Sequence, residues 1–275
     1  MTTLTVALHQ FSAVPEIERN VQAISAAITS AAQARAQILL TCECALVGYP
    51  GAGRENLEGL NACAVADAED LLHQRAAAAD IALFLGSVSP WQGSWSNDLL
   101  ACGALDQGQV GTRYRKRCLT PVDQKHFRAG QTPAWVTVAG WRLGLSICFD
   151  LRWSALWAEL ARGPDDPKLC GHGGADAFLN AAHMAGPDVD PSTKAHIIPA
   201  MYATRAAEWA TPLALANGAA ADRWLDSGAW DARGCPLPST PLSPNLSLVT
   251  LSPRQDLHPW YALLRHLSLD GPRSD

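Results

Sequence analysis

Two short, unbroken apolar runs, "ILLTC" at 38–42 and "IALFLGSV" at 81–88, most constrain what this chain can fold into. A strand that is apolar at nearly every position has no wet face and needs cover on both sides. Each run follows a stretch with apolar residues at helical spacing: "NVQAISAAITSAAQARAQ", with Asn20 as the expected N-cap, and "AEDLLHQRAAAAD". With the alternating opening segment "LTVALHQ", this predicts strand–helix–strand–helix–strand, a sheet covered by helices.

The middle of the chain changes character. "SNDLLACGAL" and "QVGTRYRK" read as two strands joined by a turn around Asp106, Gln107 and Gly108. "AWVTVAGWRLGLSICF" reads as a pair turning at Ala139-Gly140. "SALWAELAR" is helical, "ADAFLNAA" a strand, "STKAHIIPAMYATRAAEWA" a helix despite Pro199, and "TPLALANG" a strand. "RWLDSGAWDARGCPL" predicts a hairpin turning at Asp231 to Gly234, and "LSLVTLS" a late strand. Residues 1–270 therefore read as one α/β domain with mixed sheets. The Gly-, Pro- and Asp-rich loop 162–174 is expected to be mobile and the final "DGPRSD" to fray.

Composition narrows the function. The net charge is −5 and no run of lysine and arginine suggests a nucleic-acid footprint, which argues against a nucleic-acid partner. No apolar run approaches a bilayer span and the first residues do not read as a signal peptide, so no membrane partner is expected and the location is read as cytoplasmic. Eight cysteines occur without Cys-x-x-Cys or zinc-type spacing, so neither a structural disulfide framework nor a metal site is expected. Cys42 and Cys44 are expected on one face of a strand.

Three segments can carry chemistry. "GLSICFDLRW" puts Cys148 where a buried strand hands over to a polar turn and a helix. At such an edge a thiol can act as a nucleophile and the Phe149 N–H can face a substrate oxygen. "LTCECALVGYP" puts Glu43 among uncharged neighbours, where an ionised carboxylate is costly and suited to shuttling protons. "VGTRYRKRCL" puts Lys116 at a strand end, able to hold a developing oxyanion. Each segment alone is equally readable as a buried cysteine, a loop carboxylate and a solvated lysine.

Taken together, in the order Glu, Lys, Cys, these segments resemble the nitrilase superfamily of carbon–nitrogen hydrolases. The likeness extends through "ALHQF", "ECALVGYPGAGRENL", "FRAG", "GADAFLNAAH", "RAAEWATPLALANG" and "DSGAWDARG", nearly the whole chain. The resemblance implies a four-layer αββα sandwich, usually dimerised. It implies Glu43 as general base and acid, Lys116 with the Phe149 N–H at the oxyanion, Cys148 as nucleophile, and no cofactor. The implied substrate is a small linear amide or N-carbamoyl compound. "CFD" in place of "CWE" after the strand favours an amidase over a nitrilase. A non-catalytic binding protein, or an acyltransferase using the same three residues, are the alternatives.

Three departures from the family pattern stand out. Cys42 replaces the usual proline, Cys118 replaces a common histidine, and Asp123 stands seven residues before Gly130 of "FRAG", where many members carry a second glutamate. Asp123 is thus an auxiliary candidate, one methylene short of that glutamate. Arg152 is readable as a partner of a substrate carboxylate or of Asp150. The resemblance places His183 and Met184 on the acyl pocket, and Trp153 is a candidate for its rim. Of the ten tryptophans, Trp153, Trp157 and Trp209 are candidates for a homodimer contact.

Overall fold

The computed structural model describes residues 2–52, 54–106, 108–163, 174–186 and 191–270. Strands β1 (Leu4–His9), β2 (Ile38–Thr41) and β3 (Ala82–Trp91) run parallel, connected through helices α1 (Ile17–Gln33) and α2 (Ala62–Ala78). Strands β4 (Ser94–Gly103) and β5 (Arg113–Arg115) extend one side antiparallel. The helix α3 (Asp123–His126) follows, and then a second sheet begins with β6 (Trp135–Val138) and β7 (Trp141–Ile147). Helix α4 (Ser154–Arg162), β8 (Ala177–Ala182), α5 (Pro191–Glu208), β9 (Leu213–Asn217) and β10 (Gly228–Trp230) complete that half. Strands β11 (Thr240–Ser243) and β12 (Leu246–Leu251) return to the first sheet, and α6 (Pro259–Asp270) ends the described chain.

The sheets have the orders β11-β12-β1-β2-β3-β4-β5 and β10-β9-β8-β7-β6, both mixed. The period-two direction of side chains explains the layering. Leu4, Val6, Leu8, Ile38, Leu40 and Phe84 share one core with Leu143, Leu145, Leu179 and Leu215 of the other sheet. The intervening Ala7, Leu39, Leu83 and Leu85 instead pack with Ile24, Ile28, Val65 and Leu72 of α1 and α2. On the far side, α4 lies on β7 and α5 on β9 and β10, which gives the four-layer αββα sandwich.

Several expectations are corrected. Helix α1 begins at Ile17, so Asn20 is not its N-cap. Asn20 is buried, its amide donating to Val14 O and Leu46 O and its Oδ1 accepting from Val14 N–H. Cys42 and Cys44 do not share a strand face: β2 ends at Thr41, and Cys44 has a φ of 52°. The chain turns there because Gly86 on β3 lets it cross closely; a Cβ on Gly86 would stand 2.0 Å from Cys42 O. The hairpin at Asp231 to Gly234 turns as expected, but its return arm is one bridge, Trp230 to Pro236. Strand β11 and helix α6 were not predicted. Helix α6 inverts the usual pattern: it exposes Trp260, Leu263 and Leu267 and buries Arg265, which donates to the carbonyls of Trp209, Ala161 and Ala175.

Gln107 of the first expected turn, residues 164–173 of the expected mobile loop and residues 271–275 of the expected frayed end lie outside the described residues. Among those described, no helix is long and apolar enough to cross a membrane.

Candidate active site

The second sheet delivers Cys148. Strand β7 ends at Ile147, and Cys148 opens a 3-10 turn, Cys148–Arg152, with its φ at 45°. A non-glycine residue in the left-handed region is strained, and the surroundings must hold it there. Asp150 does much of this. Its Oδ2 accepts from Ile147 N–H at 2.9 Å and Tyr114 Oη–H at 2.7 Å, and its Oδ1 from Cys118 N–H at 2.9 Å. One carboxylate thereby ties the cysteine turn to the segment carrying Lys116. Burial pushes the Asp150 carboxyl above its ordinary range, although these donors oppose the shift. Arg152 is not among its partners; it is exposed and borders the cavity described below.

The first sheet delivers Glu43 and Lys116. Glu43 follows β2 in the turn over Gly86, and Lys116 follows β5. Gly130 packs against the strand end there, its N–H donating to Lys116 O at 2.9 Å, with no room for a Cβ beside Arg115 O. Lys116 Nζ lies 2.6 Å from Glu43 Oε1 and 2.8 Å from Asp123 Oδ2, all three side chains buried. Burial disfavours the Lys116 ammonium, but Glu43, Cys148 and Asp123 outweigh it and hold its pKa well above the ordinary lysine value. Glu43 Oε1 also accepts from Asn97 Nδ2 at 2.7 Å, and Oε2 from His183 N–H at 2.9 Å. Burial, with Glu43 beside it, pushes the Cys148 thiol well above its ordinary value, and Lys116 opposes this.

Asp123 is held by a reciprocal arrangement. Its Oδ2 accepts from Thr120 N–H and Oγ1–H, both at 2.9 Å, while Thr120 Oγ1 accepts from Asp123 N–H at 3.0 Å. This is the bonding of a capping box, and the Thr-x-x-Asp spacing is its sequence signature. Tyr49 Oη–H donates to the other oxygen at 2.9 Å. Burial acts against the Asp123 carboxylate, yet Lys116 and Thr120 bring it below the usual carboxylate range. No methylene-sized gap separates Asp123 from Lys116.

A cavity of roughly 810 Å³ opens over this cluster. Glu43, Cys148, Phe149, Arg152, His183 and Met184 all lie on its wall. The His183 ring stacks on Tyr49 at 4.8 Å, and burial lowers its pKa. Trp153 does not line the cavity: it is 44% exposed, with its ring edge-on to Phe149 at 4.9 Å. Trp157 and Trp209 are buried within the chain, so they supply no free surface for a partner. Sequence reasoning missed Asn97, Thr120 and Tyr49. Asn97 had a signal: Ser96, Asn97 and Asp98 are three successive polar residues inside a strand, all fully buried. Among the described residues no cluster of three or more His, Cys, Asp or Glu side chains could hold a metal ion.

Two mixed sheets meet face to face in an αββα sandwich, with a cysteine at a strained strand end on the cavity wall and a buried carboxylate–ammonium pair beneath that cavity. The family model for carbon-nitrogen hydrolases matches residues 5–254, and the chain belongs to that family. The amidase from Nesterenkonia sp. AN1, in a mutant carrying the acetamide moiety of fluoroacetamide on its active-site cysteine, superposes with a TM-score of 0.73 at 24% identity. That match covers 93% of this chain and 92% of that one. XC1258 from Xanthomonas campestris, a CN-hydrolase superfamily protein with an arsenic adduct in its active site, gives a TM-score of 0.73 at 20% identity, covering 99% and 98%. In sequence, Hydrolase Rv0480c from Mycobacterium tuberculosis is 34% identical over 89 residues, 30% of this chain. The match spans about a third of that protein's length, 32%.

Proposed function

We propose that this chain hydrolyses the C–N bond of a small linear amide or N-carbamoyl compound through a thioester on Cys148. The observation that carries the reading is Lys116 Nζ held between Glu43 and Asp123 beneath a cavity whose wall bears Cys148. Three roles follow from it: Glu43 is general base and acid, Lys116 holds the oxyanion and Cys148 is the nucleophile.

The thiol rests protonated, so attack requires its proton to leave as the bond forms. Glu43 Oε1 is occupied by Lys116 and Asn97, which leaves Oε2, bonded to the His183 amide, to receive that proton. The Cys148 Sγ–carbon bond forms and the carbonyl electron pair moves onto oxygen. An ammonium has three donors. Two of those on Lys116 go to Glu43 and Asp123, and the third meets the oxyanion together with the Phe149 N–H. As the pair returns, the C–N bond breaks and Glu43 gives its proton to the departing nitrogen. Water then attacks the thioester, Glu43 taking its proton, and collapse of that intermediate expels the sulfur, which regains the proton. No cofactor takes part in this scheme.

Because both sheets contribute to one site across a shared core, residues 1–270 are read as one domain, and the likeness to the family supports a homodimer. The test is a panel of primary amides, ureido acids and nitriles, with the protein's intact mass followed during turnover. Ammonia release from amides or ureido acids with an acyl adduct on Cys148 is expected. Bound but unconverted compounds across the whole panel would indicate a binding protein instead, and acyl transfer only to added amines would indicate a transferase.

A further inference from the structure

Asp123, one methylene shorter than the glutamate that the family resemblance places there, is fully buried and forms no part of the cavity wall. Its Oδ2 already accepts from Lys116 Nζ, Thr120 N–H and Thr120 Oγ1–H. Its Oδ1 accepts from Tyr49 Oη–H. Tyr49 is only part-buried and does line the cavity, so it stands between Asp123 and the space a substrate would fill.

The chemistry of that phenol is one-sided. A hydroxyl has a single proton, and here it is committed to a carboxylate, which leaves the oxygen's lone pairs as acceptors. The ring cannot swing freely: it stacks on His183 with an interplanar angle of 14°, and Lys116 Nζ lies 6.0 Å from its centre. A fixed acceptor on the wall that also carries Glu43 and Cys148 recognises a group that brings a proton, and an amide nitrogen brings one.

Building on the hydrolase reading above, we propose that Tyr49 Oη accepts a hydrogen bond from the leaving nitrogen of the substrate. It takes the substrate-facing place that the shorter Asp123 does not reach, and it selects for substrates with an N–H on the scissile nitrogen. No proton moves to or from Tyr49; Glu43 supplies the proton that leaves with the amine. A site built to bond an N–H discriminates against an analogue lacking it, because its acceptor is then left without a partner. An ester of the same acid is that analogue.

The experiment compares kcat/KM for the best primary amide of the panel with that for the methyl ester of the same acid, in wild type and Tyr49→Phe. The variant is expected to lose about tenfold more on the amide than on the ester, the size of one neutral hydrogen bond. An equal loss on both overturns the assignment and leaves Tyr49 a packing residue. A wild type that releases ammonia from no amide or ureido acid of the panel overturns the hydrolase reading itself, a failure visible before any variant is made. Tyr49→Leu, which also lacks the hydroxyl, gives the same ratio should the phenylalanine variant fail to fold.

Discussion

Lys116 Nζ lies 2.8 Å from Asp123 Oδ2, with both side chains fully shielded from water. Breaking one partner of a buried pair costs about 3–5 kcal/mol, because the remaining charge stays buried. In Asp123→Asn the loss should fall near the low end, about 3 kcal/mol, because Glu43 still faces Lys116. The sign with pH is fixed by the lowered carboxyl: its contribution is present above the unfolded value of about 3.9 and lost as pH falls through the folded value. Urea unfolding from pH 7 to 3 should show wild type and variant converging below about pH 4. A gap that stays constant to pH 3 would contradict the pairing.

The same substitution should lower kcat more than it raises KM, by roughly a hundredfold in rate, since a displaced Lys116 weakens the contact made to developing charge. Asp123→Glu should shift preference among amides of different size. Steady-state kinetics over the amide panel checks both, and wild-type kinetics in Asp123→Asn would reduce this carboxylate to a structural role.

Glu43 and Lys116 pull the Cys148 thiol in opposite directions. Removing the carboxylate charge in Glu43→Gln should therefore move the alkylation of Cys148 by iodoacetamide to lower pH, while turnover falls 10²- to 10⁴-fold, the usual worth of a general base. Cys148→Ala should abolish turnover. Peptide mapping should find loss of activity tracking the modification of Cys148, and not that of the exposed Cys63 and Cys235; activity persisting in Cys148→Ala would end the thioester scheme.

Asn97 serves both groups: its Nδ2 holds Glu43 at 2.7 Å, and its carbonyl accepts from Lys116 N–H at 2.8 Å. Asn97→Ala leaves the backbone bond and removes the amide. A fall in kcat of about tenfold with little change in KM is expected, whereas a purely structural asparagine would show lowered melting temperature and unchanged kcat.

Prolonged dialysis against a strong chelator should leave activity unchanged. A loss restored by zinc alone would overturn the metal-free scheme. Light scattering should give about twice the 29.3 kDa of one chain, as the family likeness implies. A monomer mass at micromolar concentration would contradict it.

The sequence by itself determined which segments became strands and which helices wherever the local period was strong. The buried run at β3, the Ala139-Gly140 turn with both residues at positive φ, and α4 over its expected residues all follow from nearest-neighbour geometry. Glu43, Lys116 and Cys148 became candidates through the joint resemblance of their segments to a known family, since each segment alone was equally readable as a loop carboxylate, a solvated lysine or a buried cysteine. Helix α6 was missed because its buried face carries Arg265, which is stable there because carbonyls at Trp209, Ala161 and Ala175 and the Thr211 hydroxyl meet it. Asn20 misled for a related reason, its amide being consumed by Val14 and Leu46 in the fold. Only the tertiary structure decided that Asp123 reaches Lys116 despite its length, and that Tyr49 stands between it and the cavity. Lys116 and Asp123 are only seven residues apart, but the groups that fix them come from afar: Tyr49 is 74 residues from Asp123, and Glu43 is 73 from Lys116. Local spacing carries no information on the two long separations; they are set when the first sheet assembles and brings the ends of β2 and β5 together.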